Sequence, residues 1–260
     1  MDDGSEVPYN CGMSSGLVVA IISGAVALLA AGLAVWGQTR ATRLEAKLGR
    51  LQSEEERRAA EERTAARYFE PLIRAADDLQ SRLYNILQLN LVDTYLDRGD
   101  ERERSYVVDS TSYVIAQYFA WTEIVRRAIQ YVDLAQDDRT RQLTLLQDDV
   151  YSIFQSDDLA RPLRVFAGEQ RAIGERLIRD GPRGLECLGY AAFLDSEEAR
   201  RDPLIDAIRQ DVRRLPQDLP DARPRLVALQ QALIDLLEFL DPDYVRSPRE
   251  RRSKVPHSVT

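Results

Sequence analysis

One histidine, two cysteines and two lysines are all that 260 residues contain of these types. The histidine, His257, stands in a polar C-terminal stretch. A His-based metal site, a Ser-His-Asp triad and the Glu-x-x-His ligands of a di-iron bundle therefore lack their imidazoles. Cys11 and Cys187 lie on opposite sides of a long apolar run, which leaves no disulfide framework to read. No GxxxxGK[ST] phosphate loop occurs, and Lys47 and Lys254 lie in polar flanking stretches, so the familiar machinery of phosphoryl transfer is missing too. Arginine outnumbers lysine 33 to 2, but the net charge is −8, so the bias reads as coding preference and no nucleic-acid partner is expected. The residues assign no catalytic group, no cofactor and no metal.

Charge is absent from one long stretch, residues 17–36, LVVAIISGAVALLAAGLAVW. At 1.5 Å rise per residue these 20 residues form a helix of about 30 Å, the hydrocarbon thickness of a bilayer. A cleaved signal peptide would carry basic residues ahead of its apolar region, whereas Asp2, Asp3 and Glu6 precede this one. Arg40, Arg43, Lys47 and Arg50 follow it. The expectation is a single transmembrane helix over 16–37, with an extracytoplasmic segment 1–15 and the C-terminal bulk in the cytoplasm of a cell-membrane protein. Ala20 with Gly24, and Ser23 with Ala27 and Ala31, recur at four-residue spacing. Such stripes let two spans approach closely, so a homo-oligomer is one option beside the ordinary small-residue content of membrane helices.

From residue 38 to 70 the chain is strongly charged, free of proline and rich in helix formers, which predicts a helical stalk. Leu44, Leu48 and Leu51 start a coiled-coil seam, but Glu55, Arg58 and Glu62 occupy its next positions. The seam ends after about two turns, so a solvated single helix is the better reading.

Beyond the stalk glycine is scarce, and apolar residues recur at helical spacing, which predicts an all-α cytoplasmic domain of about six helices over 71–243. Pro71 suits the first turn of a helix whose face is Leu72, Ala76, Leu79, Leu83 and Ile86. The polar run 97–105 reads as a break, with Gly99 as the stop. Ser110 or Thr111 would cap a second helix carrying the stripe Val114, Tyr118, Trp121, Val125, Ile129 and Val132, which reads as core rather than a ligand platform. Further helices are expected over 142–155 and 163–179, from Pro203 to Leu215, and from Pro224 to the residues before Pro242. Two alternatives stand for the apolar run 185–195: a buried helix or a strand. Gly168 and Gly174 frame a stretch, GEQRAIGE, that suggests close helix packing.

Residues 68–243 hold 22 Arg against 33 Asp and Glu, a formal charge of −11. The final segment, 244–260, carries Arg246, Arg249, Arg251, Arg252 and Lys254 against Glu250 and is expected to be a disordered basic tail. It has three options: to rest on its own acidic domain, to meet anionic lipid, or to stay solvated. Acid pairs recur at Asp77-Asp78, Asp137-Asp138, Asp148-Asp149 and Asp157-Asp158. Adjacent carboxylates point about 100° apart on a helix, so solvated charge is preferred to a divalent-cation site. Cys187 reads as a small buried hydrophobe. The expected partners are the lipid bilayer and an unidentified protein. The chain is read as a scaffold, sensor or assembly component, with a membrane-tethered carboxylate enzyme and an oligomerising membrane effector as alternatives. A buried carboxylate cluster would favour the enzyme, and an exposed apolar surface the contact protein.

Overall fold

The computed structural model describes residues 15–131, 138–182 and 184–256, with some side chains within 15–66 and 129–140 outside that description. The elements are α1 (Ser15–Gln88), a π-helical turn (Val92–Asp97), α2 (Glu101–Tyr131), α3 (Asp138–Gln155), α4 (Ala167–Leu177), β1 (Ile178–Gly181), β2 (Gly184–Cys187), α5 (Tyr190–Asp195), α6 (Glu197–Arg201), α7 (Pro203–Leu240) and a 3-10 turn (Arg249–Arg251). The all-α class holds, with one antiparallel hairpin, β1–β2, among the described residues. The chain divides into two units, Met1–Ala60 and Glu61–Thr260.

In the first unit Ile22, Val26, Leu28, Leu33 and Trp36 are exposed, and the Arg40 guanidinium stacks on the Trp36 ring at 5.3 Å. Among the described residues no helix is long and apolar enough to cross a membrane; several side chains of 17–36 lie outside that set. Ser23 and Gly24 are exposed, while the side chains of Ala20, Ala27 and Ala31 and the segment that holds Cys11 are outside the description. Leu48 and Leu51 of the short seam are exposed as well, while the Leu44 side chain lies outside the description.

In the second unit the expected face of α1 is buried in full: Leu72, Ala76, Leu79, Leu83 and Ile86 join one core with Ile115, Phe119, Phe154, Ile173, Leu226 and Leu233. Pro71 does not begin a helix but lies inside α1. The buried face that follows holds the helix continuous across the missing N–H, since tertiary packing outweighs local propensity. Ser110 and Thr111 are not caps either. They are buried within α2, where the Ser110 hydroxyl donates to the Tyr106 carbonyl at 2.5 Å. The helix starts earlier because Asp100 and Glu103 form a reciprocal capping pair: Glu103 N–H donates to Asp100 at 2.8 Å, and Asp100 N–H to Glu103 at 2.9 Å.

The two helices expected after residue 203 are one, α7, with Pro216, Pro220 and Pro224 inside it. Their i, i+4 spacing puts all three on one stripe, exposed at Pro220 and half-buried or exposed at the others, so the carbonyls they leave unpaired lie toward water. Val212, Leu215, Ala222 and Leu226 stay buried on the other side. Asp202 caps the start, accepting from Leu204 N–H at 2.9 Å and Ile205 N–H at 3.1 Å, with Pro203 at the first helical position as expected.

The ambiguous run 185–195 contains both alternatives in succession, the strand β2 and the helix α5. Gly184 turns the hairpin with φ of +112°, a conformation that side-chain-bearing residues rarely adopt. Tyr113 donates to the Leu188 carbonyl at 3.0 Å and its ring meets Tyr190 and Phe193 at 5.2 and 5.4 Å; of the expected stripe, Tyr118 and Val125 are buried and Val114 and Trp121 pack half-buried against the core, while the Ile129 side chain and Val132 lie outside the description.

The expected disordered tail is packed as far as it is described. Asp241, at the end of α7, holds the Arg252 guanidinium at 2.5 Å with both side chains buried, and accepts backbone N–H groups from Val245, Arg246 and Ser247. Val255 is buried, and its N–H donates to Gln230 at 3.0 Å. The basic residues meet the domain's own acids: Arg251 lies 3.9 Å from Asp77, and Lys254 pairs with Asp235. Part of the acidic excess of the domain thus has counter-charges on the same chain. Residues 257–260, including His257, are outside the description.

Candidate functional site

Two places in the second unit combine open volume with polar groups that the fold leaves unsatisfied. The first is a cleft of about 300 Å3 bounded by α2, α3 and α4. Gly174 lets α4 approach α2 this closely, because a Cβ there would stand 2.7 Å from the Phe119 carbonyl oxygen. Gly168, the other glycine of the same stretch, has open space around it and carries no such contact. Phe119 makes an edge contact with Phe154 at 4.9 Å, which forms an aromatic wall behind the cleft.

The polar lining falls into two sets. One is fully committed. Glu123, buried, takes both nitrogens of Arg126 at 2.7 Å and Arg127 Nε at 2.7 Å, while Arg127 also reaches Glu175 at 2.9 Å. Burial would raise the Glu123 carboxyl, but the hydrogen bonds from Arg126 and Arg127 outweigh it and hold the group below its ordinary value. The Tyr151 hydroxyl donates to the Ala167 carbonyl at 2.7 Å. Gln170 spends its amide nitrogen on the Tyr151 and Val165 carbonyls, both at 3.0 Å.

The other set is uncommitted. Among the described residues Gln147 Nε2 and Gln170 Oε1 are buried atoms without a hydrogen-bond partner, while the buried Tyr118 hydroxyl has the Thr122 hydroxyl as its hydrogen-bonding neighbour. Tyr118 and Gln170 are each only 2 % exposed. Burial pushes the Tyr118 phenol up, so it stays neutral, with the neighbouring Thr122 hydroxyl a smaller opposing influence. A buried polar group left unsatisfied costs about 1–3 kcal/mol, and Gln147 Nε2 and Gln170 Oε1 each carry that cost here.

The second place is a groove of about 500 Å3 at the corner of α1, the π-helical turn and α2, lined by Arg82, Asn85, Leu91, Tyr95, Arg102, Glu103 and Tyr106. Arg82 stacks on the Tyr106 ring at 5.5 Å, while its Nη1 is buried without a partner. Tyr106 is 55 % exposed, and Tyr95, also in the lining, is exposed too. Gly99 turns the chain here; a Cβ at this position would run into the Tyr95 carbonyl.

The acid pairs have structural or solvated roles. Asp77 accepts from the Ser247 hydroxyl at 2.7 Å and from Gln80 at 3.1 Å, Asp157 pairs with Arg164 at 2.6 Å, and Asp148 and Asp149 are exposed. Asp133 and Asp137 lie outside the described residues, among which no group of three or more acids, cysteines and histidines could hold a metal. Cys187 is half-buried in β2, and burial pushes its thiol up to about 12.

Tyr118 is legible in the sequence as a core position, but Gln147, Gln170 and Arg82 are not singled out by any pattern. Only the glycine pair around Gln170 marks the region. No known protein family, curated protein or solved structure matches the chain.

Proposed function

We propose that the chain is a single-pass membrane protein whose C-terminal helical domain lies in the cytoplasm and works through protein contacts, as a scaffold, sensor or assembly component. The anchor rests on the charge-free run 17–36 and on the acidic-before, basic-after asymmetry of its flanks. The exposure of Ile22, Val26, Leu28, Leu33 and Trp36 supports it, because a helix with such an outer surface needs apolar surroundings.

The observation that carries the contact reading is the corner groove around Arg82. Tyrosine and arginine are among the side chains most enriched where protein interfaces concentrate their energy, and here two exposed tyrosines line one groove with the Arg82 guanidinium. The partner that fits brings an apolar side chain to Tyr95 and Tyr106 and an oxygen acceptor, best a carboxylate, to Arg82. The acids of the domain favour the contact protein over the carboxylate enzyme, since Asp77, Glu123, Asp202 and Asp241 are engaged by arginines, hydroxyls or backbone N–H groups.

A photo-crosslinking residue at Arg102, an exposed residue of the groove's lining, introduced into the full chain in its own membrane, tests the reading. A discrete crosslinked band is expected, and Tyr95→Ala with Tyr106→Ala should abolish it without lowering the melting temperature. A band that survives the double variant would contradict the role of this groove.

A further inference from the structure

The C-terminal segment packs on a face of α1 and α7 that shares no residue with the corner groove or with the cleft between α2, α3 and α4. We propose that this face, together with the turn from Asp241 to Ser247, is a receptor for a peptide segment of the pattern Arg-x-x-Val, and that residues 251–255 occupy it as a tethered, replaceable stand-in for a partner's segment.

The main chain of the occupant is held by glutamines. Residues 252–256 lie outside any helix or strand, so their polar backbone groups need partners from elsewhere. Gln80 of α1 donates to the Arg251 carbonyl at 3.2 Å, and Gln231 of α7 donates to the Val255 carbonyl at 2.6 Å. Gln230 serves both polarities at once, donating to the Ser253 carbonyl at 2.9 Å and accepting the Val255 N–H at 3.0 Å. Gln80 and Gln230 are buried. Such bonds suit many sequences alike, because they touch no side chain of the occupant; selection is left to pockets.

Two side chains are read. The Arg252 guanidinium donates to the Asp241 carboxylate at 2.5 Å, the Asp241 carbonyl at 2.9 Å and the Leu237 carbonyl at 3.1 Å, and it lies over the Tyr244 ring at 4.6 Å. A lysine ammonium has neither the planar fork nor the stacking face, so this pocket selects arginine. Three residues on, Val255 is buried. Ser253 and Lys254 between them are exposed, and the Lys254–Asp235 pair is open to water, where pairing adds little.

Replaceability follows from how little the segment buries. Beyond Pro248, Val255 is the one buried apolar side chain among the described residues, and Arg251 meets Asp77 only at 3.9 Å from an exposed position. The arginine pocket is fixed before the occupant begins, since the Asp241 carboxylate accepts the N–H groups of Val245, Arg246 and Ser247. The tether gives the stand-in a local concentration on the order of 1 mM, so a free segment displaces it only where it carries both anchors.

The test uses the full chain in detergent micelles, with a protease-cleavable linker inserted between the exposed Pro248 and Arg249, and the fluorescence anisotropy of labelled peptides of residues 249–256. After cleavage the natural peptide is expected to displace the cut fragment and bind with Kd below about 100 μM, and the uncut chain to bind it at least about tenfold more weakly. Val255→Asp in the chain without a linker vacates the same face and should bind the peptide as the cut chain does. A peptide with alanine in place of Glu250, Ser253 and Lys254 should stay within about tenfold of the natural one, whereas Arg252→Lys, Val255→Asp and a scrambled peptide of the same composition should each be at least about tenfold weaker. Retention of the cut fragment against about a hundredfold excess of peptide, or loss of the cooperative melt on cleavage, would overturn the proposal by making the segment a permanent part of the fold. Equal affinity of the cut and uncut chains, or of the natural and scrambled peptides, would overturn it in favour of charge attraction elsewhere on the acidic surface. Failure of the alanine peptide would overturn the Arg-x-x-Val class.

Discussion

Among the described residues Arg225 is the largest fully buried side chain, and its hydrogen bonds all go to backbone carbonyls. Its guanidinium donates to the carbonyls of Phe154 at 2.9 Å, Ser156 at 3.0 Å, Leu159 at 3.3 Å and Ala160 at 2.9 Å, and also to Ile153. It therefore closes the C-terminus of α3, where the carbonyls of the last turn have no helical partner and the dipole favours a cation. Burial lowers its pKa below the ordinary arginine value, and the charge of Arg164 adds to that, yet so strong a base stays protonated. Arg225→Met should keep the apolar stem and forfeit every one of these bonds, for a loss of roughly 3 kcal/mol or more in denaturant unfolding of the full chain in micelles. A change under about 1 kcal/mol would mean that water replaces the guanidinium. Nothing in the sequence marks this role, because a residue after a proline looks like ordinary surface charge, and its carbonyl partners lie some 70 residues away. Gly174 was more accessible: glycine where alanine would favour the helix implies a neighbour in the way. Gly174→Ala should cost about 1–3 kcal/mol, whereas Gly168→Ala, with open space around it, should be neutral or stabilising by up to about 1 kcal/mol. Equal effects at the two positions would refute the close approach of α4 to α2.

At the scale of elements, periodicity located the buried faces and failed at the ends. The stripe from Leu72 to Ile86 and that from Leu226 to Leu237 are core as the spacing implies, because a 3.6-residue period with one apolar side admits little else. Proline misled in α1 and α7. Its cost of about 3 kcal/mol in a helix is a local quantity, and the burial of a long apolar face outweighs it when the prolines sit on the wet side. The C-terminal segment misled for the opposite reason: composition made it look solvated, but its cations match acids distributed over α1 and α7. Its hold should depend on pH. Burial would raise the Asp241 carboxyl, but the N–H groups of Ser247, Arg246 and Val245 and the Arg252 charge hold it below the ordinary 3.8. A depressed folded-state pKa gives a contribution that is complete above the unfolded value and disappears as pH falls through the folded one. Hydrogen exchange in residues 244–256 should therefore stay slow above pH 4 or so and accelerate, after correction for intrinsic rates, only in stronger acid. Asp241→Asn should release the segment already at neutral pH, at a cost of about 3–5 kcal/mol for a buried cation without its partner. Unchanged protection in Asp241→Asn would show that the apolar anchor at Val255 suffices.

For the whole molecule, the arrangement joins a charge-free helical run near the N-terminus to an acidic helical domain whose own C-terminal strap supplies counter-charge. That domain holds two separate candidate sites, a tyrosine- and arginine-lined groove and the cleft between α2, α3 and α4. Neither was visible in the sequence, since both depend on which polar atoms the fold leaves without partners. The central claim, a single span with this domain on the cytoplasmic side, is tested most directly by thiol accessibility. Cys187 is a poor reporter, because burial raises its thiol and silences it on either side of a membrane. Leu145→Cys, at an exposed position of α3, replaces it, with Cys187→Ala in the background. In intact cells a membrane-impermeant maleimide should modify Cys11 and spare the cysteine at position 145 until the membrane is permeabilised. Modification at position 145 in intact cells, or release of the chain from membranes by alkaline carbonate, would contradict the account.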